Sequence, residues 1–320
     1  MKSDLMFNIT PPDGKVNYVT VCPQDSGHEF QDVDTETIIA LFKQYGAILF
    51  RGFQLDRKAF RQLAFRFSSN FIVNKARDGG RRSISPDGRI QTVNIGNRSF
   101  PLHPELSTMP TKPDIAWFAC DLPPIIKGET LLCDGIEIVS GLQQQTRELL
   151  KHRAFLYKIK TTEEECKSWL GIKDTDAATL QDMKDKAPLN FSIEDGEYYS
   201  TYVTPALHKP LFSDELAFGS FLLFARQMQG WKNFPTFEDG TDVPDAVYEE
   251  LKDVSDSLTV AHVWQHGDVL MVDNTRFLHG RNDVVNPEQR IIWTQFAYAS
   301  FIPGLDSLYE AQPWRRGATG

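Results

Sequence analysis

The stretch that decides the predicted fold is Val269-Leu-Met-Val-Asp-Asn-Thr-Arg-Phe-Leu-His-Gly-Arg281. Its first four residues form a short apolar run, which predicts a buried β-strand. A longer β-type segment at 291–298 follows, and Arg290 stands at its head. His279, a potential metal ligand, therefore lies between two predicted strands.

Other short β-type runs occur from about residue 91 onward, and a long segment of mixed character at about 161–255 interrupts them. Within that segment, apolar spacing predicts a helix at about 214–229, and a second helix follows Pro244. The runs lie at 91–95, 115–120, 130–133, 154–159 and 259–264. Strands on both sides of a mixed segment predict a mainly β fold with helical additions, in which a sandwich or barrel core carries a helical lid.

The N-terminal part of the chain predicts an αβ opening. Residues 34–45 read as an amphipathic helix that ends at Gly46, residues 47–50 as a buried strand, and residues 57–67 as a second helix. No Pro-, Gly- or Ser-rich linker divides the 320 residues. We therefore expect one domain over residues 1–320, with the lid as an insertion at about 161–255.

The charge and composition of the chain argue against nucleic acid and membranes as binding partners. Lys and Arg number 34 against 43 Asp and Glu, for a formal net charge of −9. A net-negative chain without a basic stripe does not favour nucleic acid or an anionic membrane. No apolar run reaches the length of about 18 residues that a membrane span needs. The N-terminal residues lack the apolar core of a secretory signal, so we expect a cytoplasmic protein, and a homo-oligomer stays open.

Three residues form the candidate metal site. In an extended segment, side chains at positions i and i+2 share a face, so His103 and Glu105 could reach one ion. His279 could join them, although only the fold can bring it close. Two imidazoles and one carboxylate form the facial triad of non-haem Fe(II) oxygenases.

Arg290 is the candidate anion-binding residue. A charged side chain at the head of a buried strand needs an anionic partner, because an unpaired buried charge is costly. A dicarboxylate cosubstrate offers a bidentate partner for the guanidinium. An ion pair with an Asp or Glu of the same chain is the alternative.

Several linked motifs resemble one family. They are Leu-His-Pro-Glu at 102–105, a Phe-Ala-Cys…Lys-Gly-Glu-Thr stretch at 118–130, the motif at 273–281, Arg290, and Tyr-Gly-Ala-Ile-Leu-Phe-Arg-Gly-Phe at 45–53. Their order and spacing resemble those of the taurine dioxygenase-like (TauD/TfdA) family of Fe(II)/2-oxoglutarate-dependent dioxygenases. The resemblance covers about residues 35–300.

The resemblance implies a double-stranded β-helix, or jelly roll, with Fe(II) held by His103, Glu105 and His279. Arg290 and Thr130 would hold 2-oxoglutarate, and O2 would bind last. The expected reaction oxidises an unactivated C–H bond of a small-molecule substrate by hydroxylation, desaturation or cyclisation, and releases succinate and CO2.

Two departures from the family pattern bear on the substrate. Glu105 replaces the commoner Asp, as in clavaminate synthase-like relatives, which act on amino acids and peptide-derived natural products. Thr294 stands where taurine dioxygenase has its sulfonate-binding Arg, which argues against taurine. We therefore expect a small polar metabolite, an amino acid or an amino-acid-derived natural-product intermediate.

The candidate substrate-binding residues are Asn97, Arg98, Tyr202 and Thr294. A turn with Asx hydrogen bonding is the more common role for residues such as Asn97 and Arg98, and strand tyrosines often only pack. Acidic lid residues at 163–165, 194, 195 and 197 would favour an amine or guanidine on the substrate. Runs of like charge usually face water, and this alternative stays open.

Two other functions compete with the dioxygenase. A zinc hydrolase could use the same three ligands with an activated water, although it has no use for Arg290. A non-catalytic jelly-roll binding protein could keep the metal for structure alone. A further pair, His262 and His266, has helical metal spacing, but its surroundings are β-like and make a second metal site a poor interpretation.

Overall fold

The computed structural model of the chain describes residues 6–25, 27–73 and 80–316. Its strands are β1 (Phe7–Thr10), β2 (Val19–Pro23), β3 (Ala47–Phe50), β4 (Ser68–Ile72), β5 (Gln91–Thr92), β6 (Phe100–His103), β7 (Ile115–Leu122), β8 (Thr130–Asp134), β9 (Ala154–Thr161), β10 (Asn190–Glu194), β11 (Glu197–Pro205), β12 (Leu207–His208), β13 (Ala217–Phe218), β14 (Thr236–Phe237), β15 (Val260–His262), β16 (Val269–Asp273), β17 (Phe277–Arg281) and β18 (Ile291–Ala299). Its helices are α1 (Thr35–Tyr45), α2 (Arg57–Phe67), α3 (Gly135–Gly141), α4 (Gln144–Lys151), α5 (Glu163–Leu170), α6 (Ala177–Met183), α7 (Leu222–Gln229), α8 (Asp245–Leu258) and α9 (Leu305–Ala311).

Two sheets form the core. The major sheet has the order β1-β2-β3-β16-β7-β18-β4, with β5 paired to β18, and the minor sheet has the order β15-β8-β17-β6. An apolar layer that includes Phe118 and Phe296 of the major sheet and Leu132 and Phe277 of the minor sheet lies between them. The mainly β prediction with helical additions is therefore confirmed.

The central strands of the major sheet bury both of their faces. In β3, Ala47 and Leu49 face the minor sheet, whereas Ile48 and Phe50 face a second apolar layer that also contains residues of α1 and α2. A strand covered on both sides needs apolar residues at every position. This arrangement explains the unbroken apolar runs of β3, β7 and β16.

The αβ opening is confirmed, and side chains fix its boundaries. Asp34 caps α1 by accepting a hydrogen bond from the Thr37 amide at 2.8 Å. Asp56 caps α2 in the same way, with the Ala59 amide as donor at 2.7 Å. Gly46 ends α1 with φ +76°, in the left-handed region that favours glycine.

Residues 161–255 mix strands and helices. β10 and β11 form a hairpin that joins β9 and β14 in a third sheet, while α7 packs on β6 of the minor sheet. The prediction of a helix at 214–229 is wrong over its first half, because Ala217–Phe218 is a strand. The helix α7 begins only at Leu222, whose amide donates a hydrogen bond to the Ser220 hydroxyl. The strand expected at 91–95 ends at Thr92, and the helix after Pro244 is confirmed as α8.

All four cysteines are free. Among the residues that the structure describes, no helix has both the length and the apolar character to cross a membrane.

Candidate metal and cosubstrate site

The minor sheet brings the two candidate metal-binding histidines together. β6 and β17 pair antiparallel with His103 directly opposite His279, and their ring centroids are 4.7 Å apart. Gly280 permits this close pairing, because a Cβ there would stand 2.6 Å from the Phe100 carbonyl oxygen. β6 ends at His103, so Glu105 reaches the site from a turn and not from the extended segment that the sequence suggested.

The three side chains fit a divalent metal. One ligand atom from each of His103, Glu105 and His279 lies within 4.8 Å of the other two. His279 Nε2 is 3.7 Å from Glu105 Oε2, too far for a hydrogen bond but suited to a shared cation. Two imidazoles and a carboxylate on one side also leave coordination positions open, as a facial triad requires.

The His103 imidazole is in the neutral form that can bind a metal. Its Nδ1 lies 2.8 Å from the Pro101 carbonyl oxygen, which can only accept, so Nδ1 carries the proton and Nε2 keeps its lone pair. Burial, together with the neighbouring His279 ring, lowers the pKa of His103 to about 4. The imidazole is therefore uncharged at neutral pH, which is the form that binds metals.

Arg81 is a site residue that the sequence reasoning missed. Its Nη2 lies 3.0 Å and 3.2 Å from the two carboxylate oxygens of Glu105, and its guanidinium stacks on the Phe296 ring. Although burial opposes ionisation, Arg81 and His279 hold the pKa of Glu105 far below its usual range. No periodic pattern or motif in the sequence marks Arg81, so only the fold could reveal it.

Arg290 lies in the same cavity as the two histidines. Its Nε donates to the Gly128 carbonyl at 2.9 Å, and no carboxylate pairs with it among the described residues, so the structure does not contain the internal ion pair that was the alternative. Burial, with the nearby Arg281 charge, lowers the pKa of Arg290 to about 9. The guanidinium is therefore still cationic at neutral pH, and none of the carboxylates that the structure describes forms an ion pair with it.

Thr130 lies on the same cavity wall. Its hydroxyl oxygen accepts a hydrogen bond from Trp264 Nε1 at 3.0 Å, and both side chains are buried. Because the indole occupies one acceptor position, the hydroxyl hydrogen is left to donate elsewhere. The cavity is lined by Arg81, Val93, Asn94, Phe100, His103, Phe118, Thr130, His279, Gly280, Arg281 and Arg290.

The structure does not bring the four candidate substrate residues to this cavity. Asn97 and Arg98 are exposed, and their carbonyl oxygens accept from Val284 N and Arg281 Nη2. Tyr202 lines a different cavity. Thr294 is 1% exposed and donates its hydroxyl to the Trp117 carbonyl at 2.8 Å.

The acidic lid residues lie at the surface of the insertion. Glu163 pairs with Lys167 at 2.6 Å, and Glu194 pairs with Lys158 at 2.5 Å. Residues 163–165 form the first turn of α5, where negative charge is stabilised by the helix dipole. These contacts favour the solvated-face interpretation over contact with a substrate.

His262 and His266 do not form a second metal site in the described structure. His262 is buried in β15, where Nδ1 lies 3.0 Å from the Tyr18 hydroxyl and Nε2 lies 3.4 Å from Asp268. His266 Nδ1 lies 2.7 Å from the carbonyl oxygen of Asp121. Both rings therefore have structural partners.

Comparison with known proteins agrees with this geometry. The model of the taurine catabolism dioxygenase TauD, TfdA family matches residues 17–295. A clavaminate synthase-like protein of Arabidopsis thaliana is 23% identical over 273 residues, which are 79% of this chain and 82% of that protein.

Two solved structures share the fold over nearly the whole chain. PvcB of Pseudomonas aeruginosa, an Fe, alpha-ketoglutarate dependent oxygenase from an isonitrile synthetic pathway, has a TM-score of 0.60, 15% identity and 93% coverage of each chain. AAD-2 in complex with Mn(II) and N-oxalylglycine has a TM-score of 0.57 and 12% identity, with 92% of this chain and 97% of that chain covered.

Fold and site together define an iron- and 2-oxoglutarate-dependent dioxygenase with a jelly-roll core. The chain belongs to the TauD/TfdA family. The predicted fold class and cofactors are thus confirmed, and the zinc hydrolase and the non-catalytic binding protein are set aside.

Proposed function

We propose that this dioxygenase oxidises an unactivated C–H bond of a small polar metabolite, an amino acid or an amino-acid-derived natural-product intermediate. The outcome would be hydroxylation, desaturation or ring closure. The observation that carries the proposal is that His103, His279, Thr130 and Arg290 line one cavity, with Glu105 grouped beside the two histidines.

His103, Glu105 and His279 would hold Fe(II), which supplies the oxidising chemistry when it is bound with 2-oxoglutarate and O2. The protein's own task is to bind and orient. The terminal nitrogens of Arg290 would grip the distal carboxylate of 2-oxoglutarate, while the Thr130 hydroxyl donates to it. A bidentate Arg–carboxylate contact fixes both position and angle.

Residues of the insertion would exclude water from the cavity. α7 brings Phe224 to 4.8 Å from the His103 ring, with Phe221 beside it at 6.4 Å, and Phe118 covers His279 from the major sheet at 5.1 Å. These apolar rings support the proposal that residues 161–255 act as a lid within one domain. Closure of such a lid keeps a reactive centre away from solvent.

The substrate class rests on Glu105 and on the relatives. A clavaminate synthase-like protein and an enzyme of an isonitrile synthetic pathway are among the similar proteins. Both names suggest natural-product chemistry. The acidic lid residues Glu163 and Glu194 form surface ion pairs with lysines and therefore do not support a cationic group on the substrate.

Anaerobic addition of Fe(II) and 2-oxoglutarate tests the site. We expect a visible charge-transfer band in the wild type and in His266→Ala, an exposed histidine that serves as control, and none in His279→Ala. A wild type without the band would contradict the metal and cosubstrate assignment. Succinate formation over a panel of amino acids then tests the substrate class, which fails if only sulfonates, aryloxyacids or lipid-like acids stimulate turnover.

A further inference from the structure

The cavity of the candidate metal site is strongly cationic. Three guanidiniums, those of Arg81, Arg281 and Arg290, line it, and the carboxylate of Glu105 contacts Arg81 at 3.0 Å. The terminal nitrogens of Arg281 donate hydrogen bonds to the carbonyl oxygens of Asn94 and Arg98, both at 2.5 Å. Terminal nitrogens that can donate to a ligand are thus left on Arg290 and Arg81, whereas Arg281 offers only its buried Nε.

Arg81 has an unused donor inside the protein. Its side chain is 7% exposed, and Nη2 alone contacts both oxygens of Glu105. Nη1 is buried and has no hydrogen-bond partner among the described residues. A buried donor without a partner is costly, and a guanidinium is best satisfied by an oxyanion.

Metal binding would weaken the ion pair between Arg81 and Glu105. The Glu105 oxygens that accept from Arg81 are the ones that a divalent ion would share with His103 and His279. Because two cations compete for one carboxylate, a metal at the triad weakens the hold of Glu105 on the guanidinium. Arg81 then faces the cavity with both terminal nitrogens available.

We propose that Arg81 recognises an oxyanion of the substrate, most simply a carboxylate, and that the metal releases Arg81 for this task. The proposal rests on the proposed function and narrows its substrate class to anionic compounds. Thr294 does not compete for this role, since its hydroxyl is bound to the Trp117 carbonyl. Arg290 would at the same time be occupied by 2-oxoglutarate.

The test measures Mn(II) affinity by calorimetry in the absence of O2, with saturating 2-oxoglutarate to fill the Arg290 site. Acetate is the oxyanion probe, and chloride keeps the ionic strength constant. Arg81→Gln is compared with Arg82→Gln, the exposed neighbour that loses the same charge. Arg81→Lys keeps the positive charge but lacks the planar guanidinium. It replaces Arg81→Gln in the test if the melting temperature shows that the glutamine variant does not fold.

We expect Arg81→Gln to bind Mn(II) at least about fivefold tighter than the wild type, because the competing cation is gone. Acetate should tighten Mn(II) binding in the wild type and in Arg82→Gln but leave Arg81→Gln unchanged, with Arg81→Lys between the two. Weaker Mn(II) binding by Arg81→Gln would show that Arg81 only supports Glu105 and would overturn the proposal. An acetate effect of equal size in Arg81→Gln would overturn it as well.

These outcomes are separate from a failure of the proposed function. If the wild type binds neither Mn(II) nor 2-oxoglutarate, the metal and cosubstrate assignment is wrong. If it binds both and Arg81→Gln behaves like Arg82→Gln, only the role of Arg81 is wrong.

Discussion

Asn274 holds the backbone of Glu105 from both sides. Its side-chain oxygen accepts the Glu105 amide at 2.7 Å, and its side-chain nitrogen donates to the Glu105 carbonyl at 3.0 Å. The same nitrogen donates to the Pro113 carbonyl at 2.9 Å, and Asn274 is fully buried. A residue of the 273–281 motif thereby fixes the turn that carries Glu105 to the two histidines.

Asn274→Ala should weaken metal binding without removing a ligand. Loss of a group that orients a ligand typically reduces metal affinity by about tenfold to a hundredfold. Mn(II) titration of the purified variant measures the effect. Asn17→Ala, which removes one amide contact to the Leu132 carbonyl, is the control and should bind Mn(II) normally. Equal affinities for the two variants would mean that the turn holds Glu105 without Asn274.

Gly128→Ala should disturb the cosubstrate site through Arg290. Gly128 has φ +87°, and a Cβ there would stand 3.2 Å from Arg290 Cδ. Pro124 Cβ would be as close, at 3.1 Å, so the methyl group should shift the Arg290 side chain by a few tenths of an ångström. The 2-oxoglutarate affinity should then fall by up to roughly tenfold, the loss of about one charge-assisted hydrogen bond. Gly196→Ala carries a similar backbone penalty at φ +81° with nothing within 4 Å, and it should lose stability but keep 2-oxoglutarate affinity. Titration of the anaerobic charge-transfer band compares the two.

Much of the site could be predicted because it lies on regular strands. His279 follows an apolar run that is buried on both faces, and Arg290 precedes another, so their positions relative to the sheets follow from the hydrophobic pattern. The contribution of Asn274 was hidden within the same motif, since a side chain that binds backbone atoms far along the chain leaves no local pattern.

The rest of the site depends on contacts that the sequence does not encode locally. Arg81 approaches Glu105 from a segment without periodicity. Thr294 does point to the inner face of β18, beside Phe296, yet its hydroxyl is satisfied by the neighbouring strand. The over-long helix at 214–229 arose because an apolar run continues from the strand at 217–218 into α7.

Trp264→Phe should weaken 2-oxoglutarate binding through Thr130. The indole N–H donates to the Thr130 hydroxyl, and without it the hydroxyl is free to point its hydrogen elsewhere. We expect a loss of about 0.5–1.5 kcal/mol, or roughly twofold to tenfold in affinity. In a double-mutant cycle with Thr130→Val, the second substitution should add little to the first. Fully additive losses would show that Trp264 and Thr130 act independently.

Asp273 should make the stability of the protein depend on pH. Burial, partly offset by hydrogen bonds from the backbone and hydroxyl of Thr275, raises the pKa of Asp273 to about 6. The folded state then keeps a proton that the unfolded chain loses near pH 4, so the contribution of Asp273 to the free energy of unfolding falls as the pH rises from about 4 to about 6 and is constant above. The change is on the order of 3 kcal/mol. Urea unfolding of Asp273→Asn across this range should lack that decline, whereas the exposed Asp239→Asn should retain it.

Arg290→Lys should weaken 2-oxoglutarate binding more than metal binding. Arg290 uses Nε to hold the Gly128 carbonyl and keeps two terminal nitrogens for a carboxylate, whereas a lysine has one nitrogen for both tasks. We expect a loss of about 1.5–3 kcal/mol, or roughly tenfold to a hundredfold in 2-oxoglutarate affinity, with Mn(II) affinity nearly unchanged. Arg89→Lys, at a half-exposed position outside the cavity, is the control. Unchanged 2-oxoglutarate affinity would show that another guanidinium of the cavity binds the distal carboxylate. Arg276 is not a candidate, because it is paired with Asp134 at 2.6 Å.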